Sequence, residues 1–235
     1  MIAEISWPLS YTVIVVIVLV LAGFIFVSDQ AKYRKRNLGA LAERLHFTVS
    51  PNLWIPGIKR SFKTKYFGGV VDNPTAELGI AGAVHGRPIR FSSFEIGGGK
   101  TTQIFAEIAV AAQVNKFTFS CHHSSYFGNL LESSSDARFK INDEEFDRSW
   151  RLTTNSPTTL KALLIPELRK AIAESSAFQG EFYLEFDWLR YRELGDFSDA
   201  ELVARYESMI GLMCDLAVAS EVVAEKYSPP SPNSP

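Results

Sequence analysis

The sequence predicts an α+β domain carried on one N-terminal membrane-spanning helix. Three observations predict it. Residues 9–27 (LSYTVIVVIVLVLAGFIFV) form an apolar run without a charge. Residues 47–120 fall into short strand-like segments split by Gly-containing breaks, the language of an antiparallel sheet. Residues 198–225 then place apolar side chains at helical spacing, as a long helix laid on that sheet would.

The run of residues 9–27 comes first. At about 1.5 Å per residue it can just cross a hydrocarbon core roughly 30 Å thick. A cleaved signal peptide would open with basic residues and close on a small-residue cleavage site. Here the run follows MIAEISWP, which holds Glu4 and no Lys or Arg, and nothing resembling A-x-A follows Val27. A buried soluble helix would show a polar face, and this run has none. Trp7, Tyr11 and Tyr33 flank it, where interfacial aromatics belong. Lys32, Arg34, Lys35 and Arg36 follow it at once. The positive-inside tendency then predicts an outer N-terminus and a cytoplasmic C-terminal domain at the inner (cell) membrane. Only Cys121 and Cys214 occur, and no acceptor N-x-[ST] is present, which agrees with a reduced compartment.

The expected organisation is a short N-terminal segment (1–8), the membrane helix (9–27), a juxtamembrane helix or stalk (28–46), a cytoplasmic domain (47–226) and a Pro-rich tail (227–235). The stalk carries Leu38, Leu41, Ala42 and Leu45 on one face. Formal net charge is −2, so no broad basic field asks for nucleic acid. The tail, SPPSPNSP, has no apolar residue able to pack and reads as disordered.

In the domain, SFKTKYF (61–67), AELGIAGAV (76–84), PIRFSSFEI (88–96), TTQIFAEIAV (101–110) and KFTFSC (116–121) read as strands of a meander. RFKI (138–141) and the acidic NDEEFD (142–147) precede a strand, SWRLTT (149–154). Ser156 and Pro157 open a helix whose apolar face is Leu160, Leu163 and Leu164, and Pro166 restarts it. EFYLEFDWLRYRE (181–193) is a hairpin or one long bent strand. Ser198-x-x-Glu201 is a capping box, and Phe197 with Leu202 a hydrophobic staple around it. Leu202, Tyr206, Met209, Met213 and Leu216 then form the inner face of the last helix. A PH-like, partly closed barrel with a terminal helix is one architecture compatible with this order.

Few motifs carry chemistry. GGGKTT (97–102) lacks the first glycine of a phosphate loop, since that position is Phe94, and it leads into a strand rather than a helix. It reads as a hairpin tip, so no nucleotide is expected. Cys121-His122-His123 is the one cluster of good metal ligands. On a strand, Cys121 and His123 share a face, and a zinc site would need help from His85, His46 or carboxylates. No G-x-S-x-G elbow is present. The carboxylates of Asp143-Glu144-Glu145 and of Glu181 and Glu185 read as solvated surface. The basic, aromatic IKRSFKTKYFGG (58–69) puts Lys59, Arg60, Lys63 and Lys65 among Phe62, Tyr66 and Phe67. With Lys32, Arg34, Lys35 and Arg36, these are the candidate contacts to anionic headgroups.

Phe146-Asp147-Arg148-Ser149-Trp150-Arg151-Leu152, followed by Leu160-Lys161-Ala162-Leu163-Leu164-Ile165-Pro166-Glu167-Leu168-Arg169, resembles bacterial membrane-anchored proteins of the DUF3137 type. Gly82, Gly86, Arg87, Ile89 and Phe91, with Thr101 and Thr102, fit the same layout. The resemblance spans roughly residues 41–186, and its motifs are structural. It implies a bacterial setting and an α+β fold, and it supplies no catalytic residue. The functional expectation is a non-catalytic binding or scaffold module at the membrane surface, without a cofactor and with the lipid bilayer as its first partner. A subunit of a larger membrane complex, and an enzyme or metal domain around Cys121, His123 and His85, are the alternatives.

Overall fold

The computed structural model describes residues 9–53, 76–96, 103–114, 116–124, 139–174 and 180–227. Residues 1–8, 54–75, 97–102, 115, 125–138, 175–179 and 228–235 lie outside these, and with them the strand expected at 61–67, the glycine tip at 97–102 and the Pro-rich tail. The first element, α1 (Leu9–Leu45), is one helix of 37 residues. It closes with Phe47 N donating 2.8 Å to Ala42 O, while His46 takes the left-handed conformation at φ 55°. That is the six-residue closure that ends many helices.

Eight strands follow: β1 (Thr48–Leu53), β2 (Ala76–Val84), β3 (Arg87–Ile96), β4 (Gln103–Ala111), β5 (Phe119–His123), β6 (Trp150–Thr154), β7 (Glu181–Glu185) and β8 (Trp188–Leu194). They form one sheet in the order β1-β2-β3-β4-β8-β7-β5-β6, each neighbour antiparallel. The α+β expectation with an antiparallel sheet and a C-terminal helix holds. The meander holds only through β4, because β8 takes the next place and β5 and β6 are displaced to the far edge. Among the described residues four further helices follow: α2 (Glu144–Ser149), α3 (Pro157–Leu163), α4 (Pro166–Glu174) and α5 (Ala200–Tyr227). The acidic stretch of residues 142–147, given no element by the sequence, leads into the short helix α2, with the Asp143 side chain accepting from Phe146 N at its start.

One face of the sheet carries α1, α3 and α5. Leu38 and Leu41 of α1 are 0% exposed, as is Tyr206 of α5, and all belong to the same core. A chain of ring contacts crosses the core from Phe47 to Phe91, Phe197, Tyr206, Tyr191, Phe182 and Trp150, at centroid spacings of 4.9–6.2 Å. The Phe47 ring lies so close over Gly82 that a Cβ there would sit 2.2 Å from it, so only glycine fits beneath the α1–β1 junction.

Residues 28–46, expected as a stalk, are not a spacer. Arg34 pairs with Asp196 through Nε at 2.7 Å and Nη2 at 2.5 Å. Asn37 Nδ2 donates to the carbonyls of Phe197 and Ser198 at 3.1 and 2.9 Å. Arg44 meets Glu207 at 2.6 Å. In the first half of α1 the described side chains are those of residues 14–20, and each is more than half exposed. Among the described residues, no helix is long and apolar enough to cross a membrane.

Candidate functional site

The second face of the sheet is built from the alternate residues of the same strands, and it is charged. Strand registry fixes its rows. One row runs Ser92, Glu107, Arg192, Glu181, His122, Arg151 across β3, β4, β8, β7, β5 and β6. The row beside it runs Arg90, Ala109, Arg190, Tyr183, Ser120, Thr153. Directly opposed residues on antiparallel strands bring their side chains together, so opposite charges face each other strand by strand.

This charged floor is buried. Glu107 is 0% exposed, Arg190 1% and Glu181 5%. Burying charge is costly unless it is paired and hydrogen-bonded, and the registry supplies the partners. Arg192 donates to Glu181, whose second oxygen lies 2.8 Å from His122 Nδ1. The Tyr183 hydroxyl donates to Glu107. Glu107 Oε1 accepts no hydrogen bond and lies 3.6 Å from Arg190 Nη1. The Tyr183 ring meets both guanidinium groups, Arg192 at 4.8 Å and Arg190 at 5.7 Å. Arg90 lies 4.5 Å over Trp188.

The titrations follow from this packing. Burial pushes the Glu181 carboxyl up, but Arg192 and His122 together outweigh it and hold it at about 2. Burial, then Glu107, pushes the Tyr183 hydroxyl up, so it stays protonated and donates. Burial opposes the charge of Arg192, yet Glu181 keeps it firmly ionised. Burial, then Arg190, lowers Arg90. Glu181 and Glu185 were expected in solvent. Glu181 is instead in the floor, and Glu185 is half-buried with its carboxyl raised by burial. A carboxylate held at about 2 contributes stability fully above its usual 4.5, and loses it as pH falls through 4.5 toward 2. The expected loss is on the order of 3 kcal/mol. Urea unfolding of the wild type at pH 6 and pH 3 reads about 2 kcal/mol of it, since pH 3 still lies above 2, and Glu181→Gln should flatten that difference.

The sequence candidates distribute differently. Cys121 and His123 do share the core face of β5, where His123 packs edge-on against Trp150 at 5.0 Å. Burial pushes the Cys121 thiol up, away from reactivity. His85 sits exposed at the β2–β3 turn. It is five strands away and at the opposite end of the sheet, on the order of 24 Å, because β8 and β7 separate β4 from β5. These three residues are not brought together. Among the described residues, no group of three or more His, Cys, Asp or Glu could hold a metal. Of the basic candidates, Lys32, Lys35 and Arg36 are exposed on α1, whereas Arg34 turns inward to Asp196 and is a structural contact. Lys59, Arg60, Lys63 and Lys65 lie outside the described residues. The chain leaves for that segment at Leu53 and returns at Ala76.

No family model matches the chain, and no curated protein matches it in sequence. The fold has a solved counterpart. It is the crystal structure of the mycobacterial trehalose monomycolate transport factor A, TtfA, at a TM-score of 0.53 and 12% identity, covering 86% of this chain and 98% of that one. At this identity TtfA speaks to the fold alone.

Proposed function

We propose that the chain is a single-pass membrane protein whose α+β domain is a non-catalytic binding module, held against the membrane as an accessory subunit of a larger assembly. The continuity of α1 carries the reading. The helix presents Ile14, Val15, Val16, Ile17, Val18, Leu19 and Val20 outward, each 51–66% exposed, and a surface of that kind calls for an apolar phase. Its other half is core. The anchor of residues 9–27 thus continues into the domain without a hinge. Lys32, Lys35 and Arg36, exposed on the helix just past the run, suit anionic headgroups, and the same asymmetry favours an outer N-terminus and a cytoplasmic domain. Lys59, Arg60, Lys63 and Lys65 extend that expectation. TtfA bears the name of a trehalose monomycolate transport factor, and an accessory-subunit role for this fold is in keeping with that name.

Two measurements test this. The full chain should stay in the membrane pellet through alkaline carbonate extraction, and a variant lacking residues 1–27 should move to the supernatant. Release of the full chain by carbonate removes the anchor. Affinity purification from detergent extracts should return a stoichiometric membrane partner, and a lone chain would leave the subunit role without support.

A further inference from the structure

We propose that the domain stands on the bilayer by one end of its sheet, the end marked by Leu53, Ile96, Leu194 and Trp150, with the strands directed toward the lipid headgroup layer. The proposal rests on the anchor reading and adds what that reading leaves open: which surface of the domain meets the lipid and which faces away.

The direction of α1 across the sheet carries the inference. Antiparallel registry makes Leu53, Ala76, Ile96, Gln103, Leu194 and Trp150 neighbours along one end. Asp196 follows Leu194 by two residues, and Arg34 of α1 is bound to it. Later residues of α1 lie deeper in the domain. Asn37 reaches Phe197 and Ser198, Arg44 reaches Glu207 a turn and more along α5, and Phe47 lies over Gly82 in mid-strand. Traced backwards from Leu45 to Arg34, the helix therefore climbs about 16 Å toward this end and leaves the domain there. Val27, the last residue of the apolar run, lies a further ~10 Å along the same axis. The polar layer on each side of a bilayer is of similar order, since about 40–45 Å in total surrounds a core of roughly 30 Å. The sheet end thus meets the headgroup layer and needs no linker to do so.

Three features agree. The exposed cations Lys32, Lys35 and Arg36 fall at i, i+3 and i+4, so they share a face, and it is not the face that carries Arg34, Leu38 and Leu41 into the domain. Leu194, 45% exposed, lies at the same end. The opposite end is made of the tight turns at His85-Gly86 and Phe186-Asp187. Helix α5 runs between the two ends. It starts beside Asp196, and its far part is clamped to Arg87 through Glu221 at 2.7 and 2.8 Å. Ala200 and Val222 of α5 are consequently about 33 Å apart along the direction away from the membrane. Tyr227, and the chain that follows it, begins at the distal end.

The test uses the full chain in lipid nanodiscs, with Cys214→Ser to leave only buried Cys121. Spin labels are placed one at a time through Leu194→Cys, Ala200→Cys, Ala83→Cys, Val222→Cys and Leu19→Cys. A nickel chelate tethered to the headgroups reports proximity to the lipid surface. The labels at 194 and 200 should relax at least threefold faster with the chelating lipid than those at 83 and 222. Equal relaxation at all four, or faster relaxation at 83 and 222, overturns the orientation. The label at 19 should respond to oxygen dissolved in the acyl layer and not to the chelate. Failure of that response alone removes the anchor, and the orientation falls with it.

Discussion

Arg192→Ala should cost the domain about 3–5 kcal/mol, because it leaves Glu181 and Glu107 buried beside an empty position. Arg192 donates to Glu181 and packs its guanidinium 4.8 Å from the Tyr183 ring, so the alanine removes a pairing and a contact together. For a domain of this size the loss corresponds to a fall in melting temperature of roughly 10 °C or more. The check is denaturant unfolding of the purified full chain in detergent, followed by tryptophan fluorescence. The paired variant Arg192→Met with Glu181→Gln should recover much of the loss, since deleting both charges deletes the desolvation cost with the attraction. A single variant within 1 kcal/mol of wild type would mean that the floor is solvated and its charges independent.

That floor was legible in part. EFYLE and WLRYR alternate, and alternation normally marks one wet face, which agrees with the placing of Glu181 and Glu185 in solvent. The burial was invisible because periodicity records which residues share a face and not how deeply that face lies. The pairing was closer to hand. Once a two-residue turn at Phe186-Asp187 is assumed, Glu181 must oppose Arg192 and Tyr183 must oppose Arg190. Neither turn residue is glycine, yet both have positive φ, 53° and 61°. The usual turn signal was therefore missing and a bent strand remained an equal choice. The Asp187 side chain, accepting from Val114 N at 3.1 Å, helps hold a turn that its sequence does not advertise.

Caps and long-range order show the same division. Local signals placed Pro157 and Pro166 at helix starts and put Leu202, Tyr206, Met209, Met213 and Leu216 inward, all 3% exposed or less. The capping residue was off by one: Asp199 rather than Ser198 accepts from Glu201 N, at 2.8 Å, and a carboxylate serves a helix start as well as a hydroxyl does. Non-local choices failed where several pairings satisfy the same pattern. Strand β4 could have paired with β5, as a meander requires, and instead it pairs with β8. This puts the β7–β8 hairpin at the centre of the sheet and parts His85 from His123.

The second large effect concerns residues 28–45 of α1 and their seat on the sheet. Leu38→Ala and Leu41→Ala should each cost about 2–5 kcal/mol, since both side chains are 0% exposed and truncation leaves a cavity against the sheet and α5. A true stalk would tolerate either change, because a solvated helix face loses only a few tenths of a kcal/mol in helix propensity. The distinction is measurable as unfolding midpoint, and also as protease sensitivity around residues 28–46. In the wild type, cleavage there should be as slow as in the core. In Leu41→Ala it should quicken in proportion to the stability lost, because the segment can be cut only when it opens. A variant cut quickly at this segment with an unchanged unfolding midpoint would mean that α1 docks independently of the core. The packing of Leu38 and Leu41 beside the Arg34–Asp196 pair predicts the first outcome, in which α1 and the sheet open together.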